Sequence, residues 1–115
     1  MKKSISSLII ILLFPLAVKA ATLRYSVSYT EPTTNADGTT ITDLASIVLY
    51  YDYNGIAKTK KIAASSPVGG KKKTISIYIP VTTGITMVNV RATAVDISGN
   101  ESGASATVTK TVRID

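Results

Sequence analysis

The stretch MVNVRATAVDISGNES, residues 87–102, contains the strand-and-turn pattern that decides the fold. From Val88 to Ala94, apolar residues alternate with polar ones, which is the period of a strand with one buried and one solvated face. The following segment is rich in turn-forming residues, and its Gly99 can adopt a positive φ. A strand with one apolar face needs a second sheet to cover that face. This stretch therefore predicts a strand within a β-sandwich.

Length and composition limit the classes of protein that this chain can represent. Its 115 residues suffice for one domain, and 45% hydrophobic with 17% charged residues indicates a packed core rather than a disordered tail. The sequence contains no Cys and no His. This excludes disulfides, thiol chemistry, imidazole bases and the usual zinc ligands. We therefore expect no catalytic residues, no cofactor and no metal site.

Residues 1–20 have the pattern of a signal peptide. Lys2 and Lys3 precede an apolar run over residues 8–18, and small residues precede a predicted cleavage site after Ala20. The alternative is a membrane anchor, but a membrane-spanning helix needs about 20 apolar residues, and Lys19 ends this run earlier. We expect secretion to the periplasm or the cell exterior, and a mature domain over residues 21–115 with no membrane span.

The net charge of the predicted mature domain is modest. The whole chain has 13 basic and 7 acidic residues, giving +6. Three of the basic residues lie in the leader, so the mature domain carries a net charge of +3. This value is ordinary and does not indicate a nucleic-acid partner.

The remaining segments read as short strands separated by turns. Strands are predicted around Leu23–Tyr29, Ile47–Tyr53, Ile75–Ile79 and residues 104–114, with a polar edge strand after Asn54-Gly55, a hairpin dipeptide. Leu44 is expected to pin the preceding long loop to the core. Strands at this spacing favour an all-β, antiparallel sandwich.

Residues 26–55 (SVSYTEPTTNADGTTITDLASIVLYYDYNG) and 88–112 (VNVRATAVDISGNESGASATVTKTV) resemble the two halves of a fibronectin type III domain in its bacterial secreted form. Tyr29 stands at the place of that family's core Trp, before Pro32. The resemblance implies an immunoglobulin-like β-sandwich. The residues that carry the resemblance have structural roles in the family and do not identify a ligand.

The chain departs from the family pattern at two places. Val88 occupies the position of a Tyr whose hydroxyl ties a corner of the sandwich in the family. Cleavage after Ala20 would leave only residues 21–23 where the family has a first strand. We therefore expect the first strand to be short or missing, with one edge of the Leu23–Thr30 strand unpaired.

Lys71, Lys72 and Lys73 form a basic run with two interpretations. One is solvated loop charge that protects a sheet edge against aggregation. The other is contact with an anionic partner such as an acidic glycan, lipopolysaccharide phosphate or nucleic acid. No aromatic residues alternate with these lysines to stack on bases, so nucleic acid is not expected. The segment VGGKKKT also lacks the spacing of a phosphate-binding loop.

Tyr50 and Tyr78 are predicted on the outward faces of their strands. Exposed Tyr suits contacts with sugars or proteins, although isolated exposed aromatic residues are common. The acidic residues fit no known calcium-binding loop, which favours a role in capping turns.

These observations predict an exported, non-catalytic binding or interaction module with an unidentified protein or glycan partner. The alternative is a structural subunit of a surface or extracellular assembly, a homo-oligomer joined by strand pairing at an open sheet edge. An enzyme is the least favoured interpretation, because no reactive constellation is present.

Overall fold

The computed structural model describes residues 12–18, 22–80 and 84–114. Within these ranges the chain forms strands and no helix, as the sequence predicts. The strands are β1 (Leu12–Val18), β2 (Thr22–Thr30), β3 (Leu44–Tyr53), β4 (Ile56–Ala63), β5 (Lys72–Pro80), β6 (Gly84–Asp96) and β7 (Val108–Ile114). They form a three-stranded sheet in the order β1-β2-β5 and a four-stranded sheet in the order β4-β3-β6-β7. All pairs are antiparallel. The predicted all-β antiparallel sandwich is confirmed.

The core lies between the two sheets and is built mainly from alternate residues of β2, β3, β5 and β6, with Ile41 added from the loop before β3. Among the residues whose burial the structure describes, the buried apolar residues of the core are Leu23, Tyr25, Val27, Tyr29, Ile41, Leu44, Ile47, Leu49, Tyr53, Ile77, Ile79, Val88, Val90, Ala92 and Ala94. Small Ala side chains on β6 lie opposite large ones on β3, with Ala92 paired to Leu49 and Ala94 to Ile47. This pairing of small and large residues lets the facing sheet pack closely.

Two local predictions about turns and loops are confirmed. Asn54 and Gly55 have φ values of 50° and 78°, which is the backbone that a two-residue hairpin with the right twist requires. Leu44 is 3% exposed, and its N–H donates to the Pro67 carbonyl at 2.9 Å. The long loop is thus held to the core where β3 begins.

The expectation of a short or missing first strand concerns the chain after cleavage and stays a prediction; in the uncleaved chain, β1 occupies this place. β1 pairs with β2 from Leu12 opposite Ser28 to Val18 opposite Leu23, and it also passes close to β7. The segment is apolar and contains a register shift between Pro15 and Ala17. An apolar segment in an extended conformation satisfies the free backbone groups of an edge strand. β1 lies inside the predicted leader, whose cleavage stays a prediction; residues 1–11 and 19–21 lie outside the described ranges.

The last strand, β7, is shorter than predicted. Before it begins, serine hydroxyl groups take the place of backbone carbonyls as hydrogen-bond acceptors for β6. The Ala94 N–H donates to Ser102 Oγ at 2.9 Å, and the Ala92 N–H donates to Ser105 Oγ at 3.0 Å. The backbone N–H groups of both serines donate to the carbonyls of the same two alanines. Regular pairing with β6 begins only at Val108.

Candidate binding surfaces

The structure places Lys72 and Tyr78 on one surface of the three-stranded sheet. Side chains alternate along β5, and the odd-numbered Ile77 and Ile79 point into the core. The even-numbered Lys72 and Tyr78 therefore point outward. Arg24 on β2 lies directly opposite Tyr78 in the register. The outward residues of the two strands define what we call the Tyr78 face: Arg24, Ser26, Ser28, Thr30, Lys72, Thr74, Ser76 and Tyr78.

The Tyr78 face combines an exposed aromatic ring, two cations and a row of small hydroxyl side chains. Tyr78 is 58% exposed. Ser28 and Thr74 are joined by a hydroxyl–hydroxyl hydrogen bond of 2.9 Å in the middle of the face. Tyr78 lies six positions after Lys72, which corresponds to about 20 Å along an extended strand. The eight residues that define the face include no carboxylate.

The three consecutive lysines do not form one surface. Lys71 and Lys72 are exposed, whereas Lys73 turns to the other side of the strand and donates from Nζ to the Ala63 carbonyl at 2.7 Å. Lys60 likewise donates from Nζ to the Ser76 carbonyl at 3.1 Å. These two ammonium groups bridge the open side of the sandwich between the edge strands β4 and β5. Lys60 and Lys73 therefore help to hold the two sheets together.

Tyr50 lies on the opposite surface of the molecule, on the outer face of the four-stranded sheet. Its hydroxyl donates to the Glu101 carboxylate, and the Arg91 guanidinium lies 5.1 Å from the centre of its ring. Thr93 donates to the same Glu101 oxygen at 2.5 Å. Bonds from Thr93 and then Tyr50 lower the pKa of Glu101, and the bond to Glu101 is the main cause of a raised pKa at Tyr50. Tyr50 is therefore engaged by its own neighbours.

A second chain of polar contacts crosses the same outer face beside Tyr50. Asn89 donates from Nδ2 to Asp52 Oδ1 at 2.9 Å, and Thr109 donates to Asn89 Oδ1 at 2.6 Å. These two hydrogen bonds join β3, β6 and β7 across the sheet. These side chains satisfy one another, which favours a structural role for this surface.

Glu31 is a buried carboxylate that sequence reasoning did not single out. It is 1% exposed and accepts three hydrogen bonds: from Ser65 N–H at 2.9 Å, Ser65 Oγ at 2.5 Å and Lys71 N–H at 3.3 Å. Burial and, less strongly, the charge of Glu31 raise the pKa of Tyr29 to about 12. The hydrogen-bond partners of Glu31, Ser65 and Lys71, lie far along the chain, so no local sequence pattern predicts these bonds. Glu31 fixes the loops at that end of the sandwich.

Other acidic side chains serve turns, as the sequence favours. Asp96 Oδ1 accepts from the backbone N–H groups of Ser98 and Asn100 at 2.9 and 2.8 Å. Asp37 Oδ1 accepts from the Thr39 N–H at 3.0 Å. Within residues 12–18, 22–80 and 84–114, no three His, Cys, Asp or Glu side chains gather in a way that would hold a metal ion.

The fold and these surfaces define a small antiparallel β-sandwich. No protein-family model matches the chain, and no curated protein matches its sequence. The part of the chain that the structure describes contains no helix long and apolar enough to cross a membrane.

Proposed function

We propose that this chain is an exported, non-catalytic binding module of the fibronectin type III kind, and that it binds an acidic polysaccharide on the Tyr78 face. The signal-peptide pattern of residues 1–20 supports export. The strands that remain after cleavage lie in two antiparallel sheets, β2-β5 and β4-β3-β6-β7, and this sandwich arrangement supports the resemblance.

A binding role is supported by how the polar side chains are used. The sequence has no His and no Cys to act as base or nucleophile. Glu31, Asp52, Asp96 and Glu101 each accept hydrogen bonds from neighbouring groups that fix their positions. Carboxylates held in this way stabilise the fold, and none is paired with a second carboxylate in the arrangement that acid–base catalysis of glycoside hydrolysis requires.

The observation that carries the proposal is the exposure of Tyr78, at 58%, directly opposite Arg24. A sugar ring packs on an aromatic face, and a guanidinium binds a carboxylate through paired hydrogen bonds. Lys72, at the other end of the same face, would contact a further acidic unit of the same chain. The small hydroxyl side chains between them leave a flat surface that an extended polymer can follow.

Affinity electrophoresis tests the proposal with two probes, polygalacturonate as the acidic polysaccharide and dextran as the neutral one. We expect polygalacturonate to retard the protein and dextran to leave its mobility unchanged. Salt should reduce the retardation, because the cations of the face are exposed. Tyr78→Ser should remove most of it and Lys72→Ala part of it.

Tyr50→Ser is the matched control, because it removes a Tyr from the opposite surface. It should leave the retardation by polygalacturonate intact. Equal mobility of Tyr78→Ser and the unchanged protein in polygalacturonate would contradict the proposed site. A second candidate function, a structural subunit joined through a sheet edge, is favoured by the position of β1 at the edge of the three-stranded sheet.

A further inference from the structure

β1 occupies an edge of the sandwich that export would empty. It runs antiparallel to β2, with Leu12 opposite Ser28 and Val18 opposite Leu23. The whole of β1 lies within residues 1–20, the leader whose removal belongs to the proposed export. Cleavage after Ala20 would remove one of the two neighbours of β2 and leave β5 as the other.

The hydrogen bonds at the end of β2 show which backbone groups would lose their partners. The Glu31 N–H donates to the Lys71 carbonyl at 2.9 Å, in the same register that pairs β2 with β5. In an antiparallel pair, bonded and non-bonded positions alternate along the strand. Counting back from Glu31, the odd-numbered residues of β2 bond to β5. Arg24, Ser26 and Ser28 therefore direct their N–H and C=O groups toward β1.

We propose that, in the exported protein, the vacated edge of β2 pairs with the same edge of a second copy, antiparallel about a two-fold axis. This inference rests on the proposed export and cleavage. With Ser26 opposite Ser26 of the second copy, Arg24 lies opposite Ser28 and Tyr25 opposite Val27. Each apolar residue then stays on the core side, and the two sheets join into one.

The charge pattern of the edge strands favours β2 as the dimer edge. β4 carries Lys58, Lys60 and Lys61, and β7 carries Lys110 and Arg113, which oppose pairing with another strand. β2 carries a single charge, Arg24. In the register centred on Ser26 that charge faces a neutral hydroxyl residue.

Within residues 22–80 and 84–114, which the structure describes, every strand other than β2 already has its partners in one of the two sheets. Only Ala21 would precede β2, while β7 is already paired with β6 from Gly84 opposite Ile114 to Val90 opposite Val108. A second copy offers a strand of matching length, and one symmetric contact satisfies both exposed edges.

Sedimentation velocity tests the inference on two forms of the full chain. One is the exported protein, whose N-terminus is read by mass spectrometry. The other is made by cell-free synthesis without membranes and retains residues 1–20. We expect the cleaved form to show a monomer–dimer equilibrium that shifts with concentration. The leader-retaining form should sediment as a monomer over the same range.

Ser26→Pro in the exported protein removes an N–H that points to the vacated edge and none that bonds to β5. It should sediment as a folded monomer, whereas Ser26→Ala should still dimerise. Ser26→Lys provides an independent variant, because two ammonium groups would meet at the axis. Its dimer should be weakened at low salt and partly restored at high salt.

The possible outcomes separate this inference from the function on which it rests. A cleaved protein that stays monomeric at every concentration overturns the inference alone. A dimer unaffected by either Ser26→Pro or Ser26→Lys also overturns it. An exported protein that retains its leader overturns the proposed cleavage together with the inference. Retardation by polygalacturonate is measured separately and decides the glycan site.

Discussion

Glu31 and Ser65 are joined by two hydrogen bonds, one from the Ser65 backbone N–H at 2.9 Å and one from its hydroxyl at 2.5 Å. The residues are 34 positions apart in the chain. The Glu31 carboxylate is 1% exposed, so these bonds and the one from the Lys71 N–H replace its hydration. A buried carboxylate held in this way connects the end of β2 to the loop that leads into β5.

Glu31→Ala should lower the free energy of unfolding by about 1.5–3 kcal/mol, because buried donors lose a charged acceptor. Glu101→Ala is the matched control. It removes another carboxylate that accepts from hydroxyl groups, but on an exposed residue, and should cost less than about 1 kcal/mol. Chemical denaturation measures both. Equal losses of unfolding free energy in the two variants would show that burial does not increase the contribution of Glu31 to stability.

Leu49→Ala should cost about 2–5 kcal/mol, since it leaves a cavity in the core. Leu49 is fully buried and lies on β3 opposite Ala92, which is too small to fill the space. Lys72→Ala, on an exposed side chain, should change stability by less than about 0.5 kcal/mol. Thermal unfolding of the two variants compares them. Similar shifts in melting temperature would contradict the assignment of these residues to inside and outside.

The elements that the sequence predicts well are those decided by neighbouring residues. Alternation of apolar and polar residues is sufficient for β2, β3, β5 and β6, and the Asn54-Gly55 dipeptide is sufficient for its hairpin. The same alternation places Lys72 and Tyr78 on one face. It also separates Lys73 from Lys72, so the three consecutive lysines do not share one surface.

The elements that the sequence did not predict depend on distant partners. The hydroxyl groups of Ser102 and Ser105 bond to β6, and nothing in their spacing distinguishes them from ordinary loop serines. The segment of β1 is predicted to be part of a leader because its apolar run follows Lys2 and Lys3 and precedes small residues up to Ala20. Its pairing depends on a distant edge, that of β2. Tyr50 has the pattern of an exposed aromatic, yet Glu101 and Arg91 reach it across the sheet.

Tyr29 should ionise only in strongly alkaline solution, because burial and the Glu31 charge raise its pKa to about 12 from 10.0. A raised pKa means that the stability linked to the protonated hydroxyl is fully present below pH 10.0 and is lost as the pH rises through about 12. Ultraviolet absorbance of tyrosinate measures the titration. Tyr29→Phe should remove this late step, and superimposable curves would contradict the prediction.

Tyr29→Phe also tests the energetic cost of a buried hydroxyl. The Tyr29 hydroxyl has no hydrogen-bond partner in the part of the chain that the structure describes. Removing an unsatisfied buried polar group is neutral or stabilising, because the folded protein no longer desolvates it without compensation. We expect no loss in the urea midpoint. A clear loss would show that the hydroxyl is bonded in solution.

The Glu101 carboxylate should titrate below its ordinary pKa of 4.5, mainly because Thr93 and then Tyr50 donate to its charged form. The stabilisation from this carboxylate is therefore present above pH 4.5 and is lost as the pH falls through the lower pKa of the folded protein. NMR titration of the side-chain carboxyl measures it. Thr93→Val should raise the pKa more than Tyr50→Phe, and the reverse order would contradict the ranking of the two bonds.

Gly69 lies where the loop before β5 touches the segment that follows β2, and a side chain does not fit there. A Cβ at this position would lie 2.0 Å from the Pro32 carbonyl oxygen and 3.1 Å from a Leu44 methyl carbon. Its φ of +67° lies in the left-handed region, which alone costs roughly 1–2 kcal/mol for a residue with a side chain. Because the obstructing oxygen belongs to the backbone, the loop itself must move.

Gly69→Ala should therefore lower the free energy of unfolding by more than about 2 kcal/mol, which combines backbone strain with the displaced loop. Gly103→Ala is the matched control, since a Cβ there meets no atom within 4 Å and its φ lies outside the left-handed region. It should change stability by less than about 0.5 kcal/mol. Urea denaturation measures both, with an unchanged slope showing that only stability differs. If Gly69→Ala proves as mild as Gly103→Ala, the contact between Gly69 and Pro32 does not form in solution.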